Sequence, residues 1–410
     1  MNVRMSVRAG VGFSKDKSSR EAGREAAAAA LQQAGVTACE LALVFAGSKH
    51  DPEALREGFS SVLGAGARVL GGSAVGIITR DQLGYGGHEV GIAVLAGAGL
   101  QFELFLEEGL DRSEFDVGRA LGRRIHGRRS PEASLLLLYD SIRGQPNRPL
   151  NMATPLLSGL EQELGGRWPP TVGCGLMGDM EFKASHHWLD QRVVRQAASA
   201  LLIREGLRLD TAIIHGCKPA SGYHVITKTD GATVLEIDGR PAIEMIDALL
   251  GEMLGPNRGM SWKDYPLYVT LGVNRGDKFG EFKEENYANR LCMALDRERG
   301  GLIMFEPDLR PGDEVQLMRR DLNFDYVRER AERLLASIGG RKAVLALYID
   351  CIGRAGAYCG TDREEAEEIQ KTVGSRMPLL GFYSGVEIAD VAGRPRPLDW
   401  TGVLAVFSAA

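Results

Sequence analysis

Three short apolar runs, at Leu41–Ala46, 135–139 and 343–349, are continuous rather than alternating. Runs of this length, closed off by glycine or polar residues, read as strands buried on both faces. Each is followed by a stretch with helix punctuation. In the first copy Asp51 caps, Pro52 takes the first helical position, where its missing N–H costs nothing, and Gly64 stops the helix. In the second, Thr154-Pro155 opens the helix and Gly165-Gly166 ends it. In the third, a helix over 361–373 starts at Thr361, with Glu364 at capping-box spacing. A second apolar strand then runs into a glycine-rich corner: Gly71-Gly72-Ser73-Ala74-Val75-Gly76, Gly173-Cys174-Gly175-Leu176-Met177-Gly178-Asp179, and Gly381-Phe382-Tyr383-Ser384-Gly385-Val386-Glu387. The spacings Asp51 to Gly71, Thr154 to Gly173 and Thr361 to Gly381 agree within one residue. A further apolar strand closes each copy, at Val90–Ala96, 198–203 and 403–407.

This recurrence predicts an α/β protein of repeated βαβ units forming largely parallel sheets. Ligands of such sheets bind outside the carboxyl ends of the strands, so the long connections 140–153 and 350–360 should face the site. Between the second and third copies the pattern changes. Alternating residues 223–227 and 233–237 flank Asp230-Gly231, a type I′ hairpin signal, and Gly239-Arg240-Pro241 leads into a helix to about Leu250. Short strands are expected at 267–271, 287–294, 302–305 and 314–318. This is an inserted β-rich, hairpin-containing segment in the C-terminal half, with a domain boundary near Leu209-Asp210.

Composition narrows the function classes. With 44% hydrophobic and 25% charged residues over 410 positions, folded structure is expected nearly throughout. A net charge of -5 disfavours nucleic acid as a partner. The basic run 119–129 lacks interleaved aromatics and reads as a solvated helix end. No secretory signal and no stretch of about 18 apolar residues is present, so a cytoplasmic protein with no membrane partner is expected. Six scattered cysteines form no C-x-x-C pair, which implies reduced thiols and no structural zinc.

The corners carry the candidate chemistry. The sixth residue after the leading glycine is Ile77, Asp179 and Glu387, so two copies place a carboxylate at one counted position, for a ligand amine or to cap a turn. The glycines permit close backbone approach, which would suit an anionic group. Together these features suit a zwitterion. Gly71–Gly76 is a poor phosphate loop, because no helix is expected after it and no Walker lysine is present. Asp140-Ser141 and Asp350-Cys351 each follow a first strand, with Arg143 and Arg354 beyond them as carboxylate-binding guanidiniums or as structural partners. The expected ligand-binding set is Ser73, Asp140, Cys174, Asp179, Asp350, Arg354, Tyr383, Ser384 and Glu387. Cys174, with His186-His187 twelve residues on, also permits a nucleophile-and-base reading, a cysteine-dependent hydrolase or acyl-transferase, against a small buried residue. Glu284-Glu285 and the Glu364, Glu365, Glu367, Glu368 run read as solvated surface.

The stretch Leu43-Val44-Phe45-Ala46 through Asp51-Pro52-Glu53-Ala54-Leu55 to the Gly71 corner resembles the N-terminal half of FIST proteins. The hairpin with Asp238-Gly239-Arg240-Pro241-Ala242, and Gly381 to Ile388, resemble the C-terminal half. The resemblance implies a FIST N-like domain over 1–209 with two βαβ repeats. It also implies a FIST C-like domain over 210–410, β-rich over 210–340, with the third repeat in 341–410. It further implies a stand-alone sensor of a small polar, amino-acid-like ligand, signalling through a partner such as a histidine kinase or cyclic-nucleotide enzyme, with no catalytic residues, metal or cofactor. Some stand-alone members are haem proteins that sense nitric oxide; a haem here would be noncovalent, on His186 or His187. The family's first corner typically reads G-C-S-T-A-G-E-I, whereas Gly72 and Ile77 stand at its cysteine and glutamate positions. Its last corner reads Y-G-E where this chain has Gly385-Val386-Glu387. Recognition would then rest on the second and third copies.

Overall fold

In the computed structural model, which describes residues 7–145, 148–254, 269–321 and 323–409, one order of elements recurs in three lobes. Lobe 1 runs strand Arg8–Ser14, helix Ser19–Ala34, strand Leu41–Ala46, helix Pro52–Leu63, strand Arg68–Ser73, a hairpin (Ile77–Thr79, Leu83–Gly84) and strand Val90–Ala96. Lobe 2 repeats it as Gln101–Glu108, Glu114–His126, Ser134–Asp140, Ala153–Leu164, Thr171–Leu176, the hairpin His187–Leu189 with Arg192–Val194, and Ala197–Glu205. Lobe 3 opens with Leu207–Ile214 and resumes, after an inserted barrel, with helix Asp325–Ser337 and strand Ala343–Cys351. Short helical turns, strand Leu379–Ser384, the hairpin Val386–Val391 with Arg394–Leu398, and Gly402–Ala409 complete it.

The repeating unit is larger than the apolar runs suggest, because each lobe also carries a leading strand and helix. In lobe 1 these lie almost in contact: a Cβ on Gly12 would stand 1.9 Å from the Ala26 carbonyl oxygen, and one on Gly10 would stand 2.3 Å from that of Ala30. Glycine in the strand and alanine in the helix are what this approach requires. The second helix of lobe 1 begins as its sequence indicates, with the Asp51 carboxylate accepting the Ala54 N–H at 2.7 Å.

Each lobe forms a sheet in which the first and second strands pair in parallel, Leu41 with Arg68, Thr171 with Leu135, and Ala346 with Leu379. The expectation of largely parallel sheets is corrected: the closing and leading strands join antiparallel, leaving one parallel pair per lobe. The fifth and sixth positions of each sheet are filled from elsewhere. The hairpin of lobe 1 joins sheet 3, that of lobe 2 joins sheet 1, and that of lobe 3 joins sheet 2. This cyclic exchange covers the edge that each second strand would otherwise leave unpaired. The inner faces share one core containing Leu43, Phe45, Leu138, Leu176, Leu347 and Phe382, and the Phe45 and Phe382 rings stack at 3.8 Å across lobes 1 and 3.

The inserted segment closes a six-strand ring through His224–Asp230, Thr233–Ile237, Gly301–Met304, Tyr287–Asp296, Thr270–Asn274 and Glu314–Arg320. Its helix spans Ala242–Leu254, slightly later than expected. The two-residue turn is Gly231-Ala232, one position later than the Asp230-Gly231 signal, with Gly231 at φ 56° and Asp230 opposite Thr233. Of the strand expected at 267–271, residues 267 and 268 lie outside the described residues. The third-lobe helix is also corrected. It spans Ala366–Ile369 and continues as a wider turn to Gly374. Glu364 is turned away to accept the Gly356 N–H at 3.0 Å, so no capping box forms. Among the described residues no helix is long and apolar enough to cross a membrane.

Candidate functional site

The glycine corners converge. Val75 N–H donates to the Tyr383 carbonyl at 3.1 Å, Tyr383 N–H to that of Gly76 at 3.0 Å, and Gly385 N–H to that of Gly175 at 3.1 Å. Ser73 N–H donates to the His186 carbonyl at 3.0 Å. The side chains around this centre are sealed rather than set along an open cleft: Ser73, Asp140, Cys174, Asp350, Arg354, Tyr383, Ser384 and Glu387 are all buried. Asp179 alone of the expected set reaches solvent, where it holds its own loop through the Glu181 and Lys183 N–H groups.

Asp140 and Asp350 do not occupy equivalent positions. Asp140 pairs with Leu176, three residues beyond the leading Gly173, whereas Asp350 pairs with Tyr383, two beyond Gly381. A one-residue offset in a strand reverses the face. Asp140 accordingly turns to the Ser185 hydroxyl at 2.7 Å and the Ala197 N–H at 3.2 Å, with His187 Nε2 at 3.5 Å. Arg143 is a structural partner, bound to Asn151, the Leu110 carbonyl and Glu114. His187 Nδ1 lies 2.9 Å from the Ser199 hydroxyl, and burial lowers the ring's pKa. Burial brings His186 down to about 3, edge-on to Trp188 and tied to Ser73. Both rings are buried, each with Nδ1 beside a serine hydroxyl and Nε2 without a hydrogen-bond partner.

Asp350 faces Arg354, whose Nε donates to it at 2.9 Å while Nη1 reaches the carbonyls of His215 and Trp400 at 3.1 and 3.2 Å. The far side of the guanidinium pairs with Glu365, which also pairs with Arg320 at 2.6 Å. Glu365 is 1% exposed, so the solvated-surface reading of the glutamate run is corrected at that residue, while Glu367 is exposed as expected. Burial raises Glu365 to about 7 against the pull of Arg320. Glu364 accepts the Tyr85 and Tyr383 hydroxyls, and Glu284 accepts the backbone N–H groups of His215 and Gly216. These glutamates follow no apolar period, and only the folded contacts bury Glu365 and half-bury Glu284 and Glu364.

A buried polar seam joins this centre to the barrel. Glu387, opposite Cys174 in the sheet, accepts the Ser384 hydroxyl at 2.8 Å. Burial, together with Asp350 and Asp399, raises its pKa well above the usual range. Asp399 accepts the Leu291 N–H at 2.9 Å, and burial brings it to about 6. Glu306, from the loop after a barrel strand, accepts the Ala153 and Thr154 N–H groups at 2.8 Å each, supplying the N-terminal cap that Thr154 was expected to give. Burial raises it to about 7, outweighing those bonds. Tyr139 lies within electrostatic reach of Glu306, Cys174, Asp399 and Glu387. Arg290 grips Asp308, with Nε at 2.6 Å, and donates to the Asn289 and Pro397 carbonyls. Several atoms here have no hydrogen-bond partner: the Tyr139 hydroxyl, Glu387 Oε2, and both the oxygen and nitrogen of the Asn289 amide. None of Tyr139, Asn289, Arg290, Glu306 and Asp399 was legible as a site residue, because each sits in an ordinary strand or loop and meets the others only across the barrel junction. Cys174, by contrast, is held protonated by burial and by Glu387, the opposite of an activated nucleophile.

Residues 40–240 match the FIST N domain and residues 242–390 the FIST C domain. An uncharacterized protein of Mycobacterium bovis is 25% identical over 98% of this chain and 99% of its own length. One of Mycobacterium tuberculosis is 26% identical over 98% and 100%. An uncharacterized protein of Methanocaldococcus jannaschii is 22% identical over 56% of this chain and 44% of its own. A crystal structure described as a cyanuic acid hydrolase from A. caulinodans overlays 50% of this chain and 72% of its own, with TM-score 0.27 and 10% identity, too remote to carry an argument.

Proposed function

This chain belongs to the FIST family, whose domains are sensory and signal-transduction domains, and from that premise we propose that it senses a small, amino-acid-like ligand in the buried seam and signals through a protein partner. One observation carries the reading. Four polar atoms on Tyr139, Glu387 and Asn289 are buried without partners, and Asp399 links the three residues, within electrostatic reach of Tyr139 and Glu387 and with its N–H on the Asn289 carbonyl. Each such atom costs about 1–3 kcal/mol when left unsatisfied, so a group that bonds to them recovers much of that.

The chemistry suits a zwitterion. A ligand ammonium would donate to Glu387, and ionising that carboxyl becomes favourable beside a cation. The Tyr139 hydroxyl and the Asn289 amide can donate to a carboxylate. Because Asn289 belongs to the barrel while Tyr139 and Glu387 belong to the lobes, a bound ligand favours the docked arrangement in proportion to the contacts it adds there. A sealed site requires the barrel to move for entry, and that motion is the change a partner such as a histidine kinase or a cyclic-nucleotide enzyme would read.

The test is a thermal-shift screen of the full chain against the amino acids and related zwitterions. A concentration-dependent rise in melting temperature for one chemical group, lost in both Glu387→Gln and Asn289→Ala, is the expected result. No shift across the panel, or a shift that both variants retain, would remove the seam as the site.

A further inference from the structure

A second site lies on the outer side of the barrel junction. The guanidiniums of Arg275, Arg290 and Arg396 gather around the Asp308 carboxylate, and Arg394 lies near Arg396. Three of the four have counterions: Arg290 with Asp308, Arg275 with Asp313 at 3.4 Å, and Arg394 with Glu161 at 3.3 Å. Arg396 has none. Its side chain makes no hydrogen bond or ion pair with the described residues, its Nε is buried without an acceptor, and Arg275, Arg290 and Arg394 repel its charge. The strand Arg394–Leu398 holds it in place, as the outer edge of sheet 2.

Beside it opens a cavity of about 250 Å³, lined by Thr154, Ser158, Trp168, Asp308, Arg394 and Arg396 among others. Glu306 occupies the backbone N–H groups of Ala153 and Thr154 and draws on the Thr154 hydroxyl, which makes no other hydrogen bond, so the Arg396 guanidinium is the main donor left at this mouth and the hydroxyl can turn to it from Glu306. A fixed, half-buried cation flanked by three others, whose nearest carboxylate is already gripped by Arg290, is unfavourable, and an oxyanion relieves both the repulsion and the missing acceptor at Nε.

We propose that this cleft binds a phosphoryl group, on the Arg396 guanidinium with Arg394 beside it and the Thr154 hydroxyl donating to a third oxygen. A planar guanidinium matches two phosphoryl oxygens at once. The volume admits a phosphate with a small organic remainder, and the Trp168 ring offers that remainder an apolar wall. The site is separate from the seam, and its ligand is an anion rather than a zwitterion.

Inorganic phosphate and glycerol phosphate are titrated into the full chain by calorimetry at constant ionic strength, with chloride as the balancing salt. Saturable binding is expected, weakened at least tenfold in Arg396→Gln and measurably in Thr154→Val, while the seam variant Glu387→Gln binds as the parent does. Tighter binding of the ester identifies a phosphorylated metabolite as the source, and equal binding identifies free phosphate. Absence of saturable binding to the parent, or unchanged affinity in an Arg396→Gln protein whose circular dichroism matches the parent's, overturns the proposal.

Discussion

Glu306 ties the barrel to lobe 2, and replacing it with glutamine isolates its charge. In the folded protein its carboxyl is 1% exposed and accepts the two leading N–H groups of helix Ala153–Leu164 at 2.8 Å each. Those bonds favour the ionised form, yet burial outweighs them and raises the pKa from an ordinary 4.5 to about 7. A folded-state pKa above the unfolded one means that the protonated carboxyl contributes stability that is complete below pH 4.5 and lost as pH rises through about 7. The size of the rise corresponds to about 3 kcal/mol. Glu306→Gln is nearly isosteric, keeps one acceptor and does not titrate. It loses about 1 kcal/mol of capping at every pH, and the diagnostic quantity is the slope. Urea denaturation of both proteins from about pH 5 to about pH 8.5 should show the variant least favourable relative to the parent at the acid end and gaining on it by up to about 3 kcal/mol at the alkaline end. Glu365 titrates in the same window in both proteins and cancels in the difference, whereas Asp399, whose charge helps raise Glu306, adds its own response to the substitution. A difference in stability that stays constant over that range would refute the claim that burial governs this carboxyl.

Two further outcomes follow from the buried groups. Arg354→Ala leaves Asp350 without its guanidinium and Glu365 with Arg320 alone, and should cost about 3–5 kcal/mol in urea denaturation. The triple variant Arg354→Met, Asp350→Asn, Glu365→Gln should cost less, and a cost at least as large would show that shape rather than uncompensated charge sets the penalty. Cys174 should resist alkylation in the native protein and react only on unfolding, while the half-exposed Cys359 reacts first; rapid native labelling of Cys174, mapped by peptide mass, would contradict its sealed position.

The chain's own pattern located the two apolar strands of each copy and the helices of the first two, because continuous apolar runs and glycine stops act over a few residues, whereas the third helix is short and starts five residues later than its cap signal. The pattern also marked the inserted hairpin through Asp230-Gly231, though the turn settled one position later. Hairpin exchange was not legible, because which edge a short strand such as Ile77–Thr79 covers depends on the other lobes rather than on its own alternation. Nor was the one-residue offset between Asp140 and Asp350, since face is set by register against a partner strand. Glu306, Asn289 and Asp399 show the same limit at the site. Their neighbours are distant in sequence, and burial, which shifts the pKa values of Glu306 and Asp399 and leaves the Asn289 amide unpartnered, exists only once barrel and lobes have closed on one another.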